Sequence, residues 1–257
     1  MKIIILTGSE LRHKYFISVL EKNKKIKVIK VICESDSKSL KNRNLKNKNI
    51  SKLEITHENS RFKSEKKYFL KKKINIKNNK IINIKKGHIN NTKIINMAKK
   101  LSPDLIICYG SSIISSKFIK IFEHKFLNIH LGLSPYYRGA GTNIWPLINN
   151  EPEYVGVTFM NINEGIDTGE VLHQIQARIF KNDTPHDIGN RLIKDMSKIT
   201  CSIILNFKRL KKMKQIVSKK QLYYVQKDFD KVACELLYKN FNNNFLIKYL
   251  NRIKKSK

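Results

Sequence analysis

Arginine is scarce in this chain. Of 52 basic residues among 257, only 8 are arginines. The rigid donor fork that reads phosphates and base edges is therefore poorly represented, although the formal charge is +32 and the isoelectric point is near 10.0. Lysine, asparagine and isoleucine fill about 42% of the positions. The charge reads first as a lysine-biased composition on a solvated surface, with a functional basic face as the alternative. Cysteine is sparse too: Cys33, Cys108, Cys201 and Cys234 lie far apart, with no CxxC pair. Neither a disulfide framework nor a zinc site is expected, and a reducing, cytoplasmic setting is. Mean hydropathy is −0.41, and no apolar run approaches the roughly 18 residues of a membrane span. The opening MKIIILTGSE is too short in its apolar run for a signal-peptide core and reads as a buried first strand.

What is there is an alternation of strand and helix. Residues 2–7 are an apolar run ending at Gly8-Ser9. Leu11, Tyr15, Phe16, Val19 and Leu20 then recur at helical spacing, and residues 26–33 form a second strand. That is the start of a βαβ unit with a parallel sheet. Residues 34–86 break the pattern, with Lys/Asn tracts at 38–52 and 71–86 around one helix near 57–72. They read as a long solvated excursion. Further strands are expected at 104–109, 126–131, 154–160 and 170–180, and a helix near Ile144. Thr184-Pro185 with Asp187 is a helix start, and an apolar face then runs from Ile188 to Phe207. The end carries a short strand at LYYVQ and one amphipathic helix through Val232, Leu236, Phe241 and Phe245. The expected architecture is an α/β, Rossmann-like, mostly parallel sheet over residues 1–200, with a small α+β extension over 201–257.

Three places carry chemistry. Asn128 and His130 are two apart on a strand and share a face, just before a glycine-rich loop. Sites in open α/β sheets form at the carboxyl ends of strands. There an amide and an imidazole can polarise a carbonyl. A half-buried structural histidine is the competing reading. Glu164-Gly165-Ile166-Asp167-Thr168-Gly169 holds two glycines in six residues, so the loop can bend and aim Asp167 at His130. An ordinary turn is the alternative. At the first strand–helix turn, Gly8, Ser9, Arg12 and His13 could hold a phosphate, or form a plain turn with a solvated arginine. No third ligand accompanies His130 and Asp167 at metal spacing, so no metal is expected.

Read as one string, NIHLGLSPYYRGAGTNIWPL…GVTFMNINEGIDTGEVL resembles the folate-dependent formyltransferases. That superfamily includes glycinamide ribonucleotide transformylase, methionyl-tRNA formyltransferase and the nucleotide-sugar N-formyltransferases. Asn128 and His130 match its Asn-x-His strand. Ser134-Pro135-Tyr136-Tyr137-Arg138-Gly139 matches its Leu-x-Pro-x-Tyr-Arg-Gly loop, with Ser134 directly before the proline, where leucine often stands. Within residues 164–169, Gly165-Ile166-Asp167-Thr168-Gly169 matches the last five positions of its Asp-x-Gly-x-Asp-Thr-Gly loop, and Glu164 stands where an acidic residue is expected. The resemblance implies N10-formyltetrahydrofolate as donor and a primary amine as acceptor. Asn128 would bond the formyl oxygen, His130 would stabilise the oxyanion, and Asp167 would orient His130 and help move the proton. It puts the pterin against Gly110, Ser112 and Ile113 and the backbone of Glu164, Gly165 and Ile166. It puts the acceptor near Gly8, Ser9, Arg12, Tyr137, Arg138 and Gly139. The favoured acceptor is a nucleotide-linked amino sugar, because the last 45 or so residues are too few for the barrel of a methionyl-tRNA formyltransferase. A barrel-less enzyme of that kind is the first alternative. A non-catalytic nucleic-acid-binding protein on this fold is the second. No membrane partner is expected, and a homodimer is compatible with the sequence.

Overall fold

The computed structural model describes residues 1–35, 50–70, 80–216 and 220–255. Most of the Lys/Asn tracts, at 36–49 and 71–79, lies outside the described residues. The sheet starts with β1 (Lys2–Gly8), whose alternation buries both faces. Ile3 and Ile5 enter one core layer, and Ile4 and Leu6 the other. A strand apolar on both sides is what a central parallel strand requires. Helix α1 (Leu11–Glu21) leads to β2 (Lys27–Ser35), which pairs parallel with β1.

Inside the expected excursion the structure differs from the sequence reading. Helix α2 (Lys52–Glu65) starts five residues before the expected position. Ser51 and Glu54 form a reciprocal capping box there. Five residues of π-helix follow, at Lys66–Leu70. Strand β3 (Ile81–Lys85) then adds to β2 in parallel, so part of the lysine-rich stretch is sheet rather than loop. Helix α3 (Thr92–Leu101), β4 (Leu105–Tyr109), the short α4 (Ser116–Ile121) and β5 (Phe126–His130) follow. After β6 (Tyr137–Gly139) and α5 (Trp145–Ile148) come β7 (Gly156–Met160) and β8 (Val171–Gln176). The described sheet runs β3-β2-β1-β4-β5-β7-β8, with β7 and β8 antiparallel. Strand order reverses between β1 and β4. Their carboxyl ends, marked by Gly8 and Gly110, open the crevice where such sheets bind ligands.

Helix α6 (Pro185–Asn206) is capped by Thr184 and Asp187, as its sequence suggests. The C-terminal part does more than cover the core. Strand β9 (Leu222–Tyr224) pairs in parallel with β6, Tyr137 against Leu222. The Tyr224 ring stacks on Trp145 at 3.9 Å. The chain closes with two helices rather than one, α7 (Lys231–Asn242) and α8 (Phe245–Lys255). Asn240 donates to the carbonyls of Leu147 and Ile148, at 2.9 and 2.8 Å, and so satisfies the open end of α5. No helix among the described residues is long and apolar enough to cross a membrane.

Candidate active site

At the end of β5, Asn128 and His130 project together, as the period of two demands. Asp167 reaches them from the loop between β7 and β8, in the left-handed region at φ 54°. Aspartate is one of the few residues that tolerate this conformation. Its carboxylate collects three donors. Asn128 Nδ2 donates to Oδ1 at 3.1 Å, and Gly139 N donates to Oδ2 at 2.9 Å. His130 Nδ1 lies 3.2 Å from Oδ2. The other ring nitrogen, Nε2, sits 2.9 Å from the Tyr137 carbonyl, so each nitrogen of His130 faces an acceptor. Both side chains are nearly enclosed, His130 at 6% and Asp167 at 11% exposure. In such surroundings a charge-assisted hydrogen bond is stronger than in water.

Close packing explains the loop's glycines. A β-carbon on Gly132 would lie 2.5 Å from His130 Nε2 and 2.8 Å from Thr142 Cβ. Gly139 has φ 92°, and a β-carbon there would meet the Tyr224 carbonyl at 2.1 Å. Its bare backbone is what lets its N–H reach Asp167. Beneath, Thr158 Oγ1 donates to the Gly132 carbonyl and accepts from Ser134 N. Opposite, Asn163 Oδ1 accepts from Gly165 N and Thr168 Oγ1 and bends the Asp167 loop.

Asn128, His130, Gly139, Thr142, Asn163 and Asp167 line one cavity of about 1100 Å³. Gly110, Ser112, Gly165 and Ile166 border it, and so does Ile113, 67% exposed. Gly8, Ser9, Arg12 and Gly139 border it as well. Several expectations need correcting. Glu164 is off the cavity wall, 64% exposed and 4.0 Å from Lys120. The Ser112 N–H is already taken by Glu34, at 2.6 Å. Tyr137 turns its hydroxyl to Glu151 and offers the site only its carbonyl. Arg138 does not line the cavity, and its Nε is buried without a partner among the described residues. Arg12 is not a bare phosphate clamp, since Nη1 bonds Glu65 at 2.5 Å and Glu10 at 2.7 Å. His13 is no cation either. Burial, helped by Arg12 and Arg61, holds its pKa well below the ordinary histidine value.

Sequence reasoning missed Glu34, Glu65 and Gln215. Glu34 is 5% exposed and ties Gly87 to Ser112 through its two oxygens. The Ser51–Glu54 capping box could have located α2, but nothing local pairs its Glu65 with Arg12.

A second polar cluster lies on the far wall of the cavity. The rings of His57 and His186 are 4.6 Å apart, and Tyr238 lies 3.1 Å from His57 Nδ1. Burial lowers the pKa of His57 to about 3, with His186 and Arg61 adding to the shift. Burial lowers that of His186 to about 4, Arg61 adding and Asp187 opposing. A histidine held neutral by the fold takes up its proton more readily when unfolded. Its stabilisation is full above an unfolded pKa of about 6.5 and is lost as pH falls toward 4 and 3. We expect the melting temperature to fall from pH 7.5 to pH 5. Replacing both residues by glutamine should make that fall shallower, as differential scanning fluorimetry at the two pH values would read. An unchanged slope in the double variant would refute the assignment.

Comparison with known proteins gives the family of the chain. Residues 1–204 match the family described as formyl transferase. The chain belongs to that family. Among curated formyltransferases, the methionyl-tRNA formyltransferase of Clostridium tetani is 39% identical over 97 residues. That stretch is 37% of this chain and 31% of the relative, so the match spans about a third of that formyltransferase. Phosphoribosylglycinamide formyltransferase from Anaplasma phagocytophilum has 15% identity and a TM-score of 0.58, covering 88% of this chain and 97% of that one. An N-formyltransferase from Helicobacter canadensis, solved with folinic acid and dTDP-3-aminofucose, has 19% identity and a TM-score of 0.54. That likeness covers 93% of this chain and 80% of the other. At such identities the likeness establishes the formyltransferase fold.

Proposed function

We propose that the protein moves a formyl group from N10-formyltetrahydrofolate to a primary amine carried on a nucleotide-linked sugar. The observation that carries this is the meeting of Asn128, His130 and Asp167 at one strand end, in the wall of a cavity large enough for two ligands. Gly110, Ile113, Gly165 and Ile166 suit the folate, because they offer a flat apolar face and backbone groups beside Asp167. When bound, the folate supplies the activated formyl carbonyl. Asn128, with an amide hydrogen beyond the one directed at Asp167, donates to the carbonyl oxygen as it gains charge. His130 supplies the second donor through Nε2, the ring nitrogen opposite the one that Asp167 holds. Asp167 holds the imidazole, takes the proton released as the amine nitrogen bonds the formyl carbon, and would pass it to the folate nitrogen N10 as the bond from that carbon to N10 breaks.

Two features favour a sugar nucleotide. Arg12 is already bonded to Glu10 and Glu65, which weakens the case for a phosphomonoester at that turn. Tyr223, 48% exposed, offers a ring to a base on the same cavity wall. The sequence likeness to methionyl-tRNA formyltransferase keeps methionyl-tRNA as the second reading. We expect protein incubated with N10-formyltetrahydrofolate to formylate aminodeoxy-sugar nucleotides, seen as the mass gain of one CO, and to leave glycinamide ribonucleotide and methionyl-tRNA unmodified. Formylated methionyl-tRNA would replace the sugar reading. RNA binding with a steep salt slope and no transfer to any amine would replace catalysis altogether.

A further inference from the structure

We propose that Gln215, beyond the residues that match the family, is a positioning residue for Asp167. The inference rests on the reading that Asp167 and His130 form the reacting pair. The Asp167 carboxylate is fixed by Asn128, Gly139 and His130, but its backbone carbonyl points the other way. There Gln215 Nε2 donates to the carbonyls of Asp167 at 3.0 Å and Gly169 at 2.8 Å. One amide thus spans two residues of the turn that carries the carboxylate. It fixes the peptide orientation that a left-handed aspartate at φ 54° depends on.

The segment bearing Gln215 is itself anchored. Val171 and Met213 exchange backbone hydrogen bonds, at 2.8 and 2.9 Å, just past the end of the same turn. Gln215 also lies 3.9 Å from the sulfur of Met160, the residue paired with Asn128 across β5 and β7. It therefore touches the neighbours of two of the three site residues. Its Oε1 is buried with no partner among the described residues. Turning the amide over would set that oxygen against two carbonyls, so the donor orientation is the one the site selects.

The role predicts an effect on turnover rather than on donor affinity. Gln215→Met keeps the length and packing and removes the donor. Gln215→Glu keeps the shape and sets a carboxylate against two carbonyl oxygens. A loosened Asp167 turn misplaces the carboxylate by a fraction of an ångström to an ångström. Both variants should then lose about 10- to 100-fold in kcat, with KM for the folate changed less than about threefold. The ring nitrogens of 15N-labelled His130 report the pair independently of any substrate. Their shifts should move in Gln215→Met, because Asp167 no longer sits squarely on Nδ1. A lower melting temperature with unchanged kcat and unchanged His130 shifts would overturn the proposal. Moved shifts in a protein that transfers formyl to no amine would sink the functional reading and leave the positioning role standing. If Gln215→Glu does not fold, Gln215→Met carries the same test with the packing kept.

Discussion

His130→Ala is expected to cost about 10² to 10⁴ in kcat, the range for oxyanion donors and general acid–base groups. The protein should stay folded and keep its affinity for the folate. Asp167→Asn should be comparably severe, for a reason visible in the geometry. The carboxylate receives Asn128 on one oxygen and Gly139 N with His130 Nδ1 on the other. An amide placed there sets its NH2 against a donor whichever way it turns. Asn128→Ala should cost less, since a neutral donor contributes less than a charged one. Because the three side chains share one carboxylate, their losses should be far from additive in combination. If they only support a strand end, the variants would lose thermal stability and folate binding together with activity. Stable, folate-binding, inactive variants support the catalytic reading, and an active His130→Ala protein ends it. Steady-state kinetics, folate titration and thermal melts on the same preparations separate these outcomes.

Glu65→Ala should produce the largest loss of stability. Glu65 is 8% exposed, and Arg12 beside it is 18% exposed. Removing one partner of a buried pair costs about 3–5 kcal/mol, because the other charge stays behind without compensation. Glu10 still reaches Arg12 at 2.7 Å from a more exposed position, so about 2–3 kcal/mol is the better figure here. For a chain of this size that is a drop of about 5–10 °C in melting temperature. Arg12→Ala should be milder, because Arg61 Nε lies 3.6 Å from Glu65 and shares the load. The double variant should recover part of the loss of Glu65→Ala, as coupled neighbours do. A different pattern would restore Arg12 as a substrate-phosphate ligand. In that pattern Arg12→Ala melts like the wild type and raises only the KM for the amine.

The legible parts of this protein were those with local patterns. The period of two on β5 placed Asn128 and His130 on one face, and the glycines flanking Asp167 announced a turn. The strands of the inner sheet were readable because Ile3 to Leu6 and Leu105 to Tyr109 are apolar throughout. Strand β3 was hidden because IINIK sits among lysines and asparagines, whose charge dominated the reading. Glu65 and Gln215 could not be read. Each acts through a contact dozens of residues away, 53 for Glu65 with Arg12 and 48 for Gln215 with Asp167. No spacing rule reports such contacts. The turn at Gly8 to His13 misled in the opposite direction. Its arginine and histidine looked like cations for a ligand, until burial and two carboxylates, Glu10 within the turn and Glu65 from α2, decided their state.

The β6–β9 pair has a consequence for how the protein is made. Strand β6 presents Gly139 to Asp167, and its partner β9 emerges from the ribosome only after all seven strands of the main sheet and the whole of α6. The sheet can therefore close around its apolar strands while the Tyr137–Gly139 segment still lacks its pairing partner. Contacts of such high sequence separation form late and slowly. A nascent chain arrested before Leu222 would have the strands of its sheet but not Ala233, Leu237, Phe245 and Leu246 of the buried core, and its Asp167 carboxylate would be poorly held, so the order of the site would arrive after the sheet, as a separate event in time.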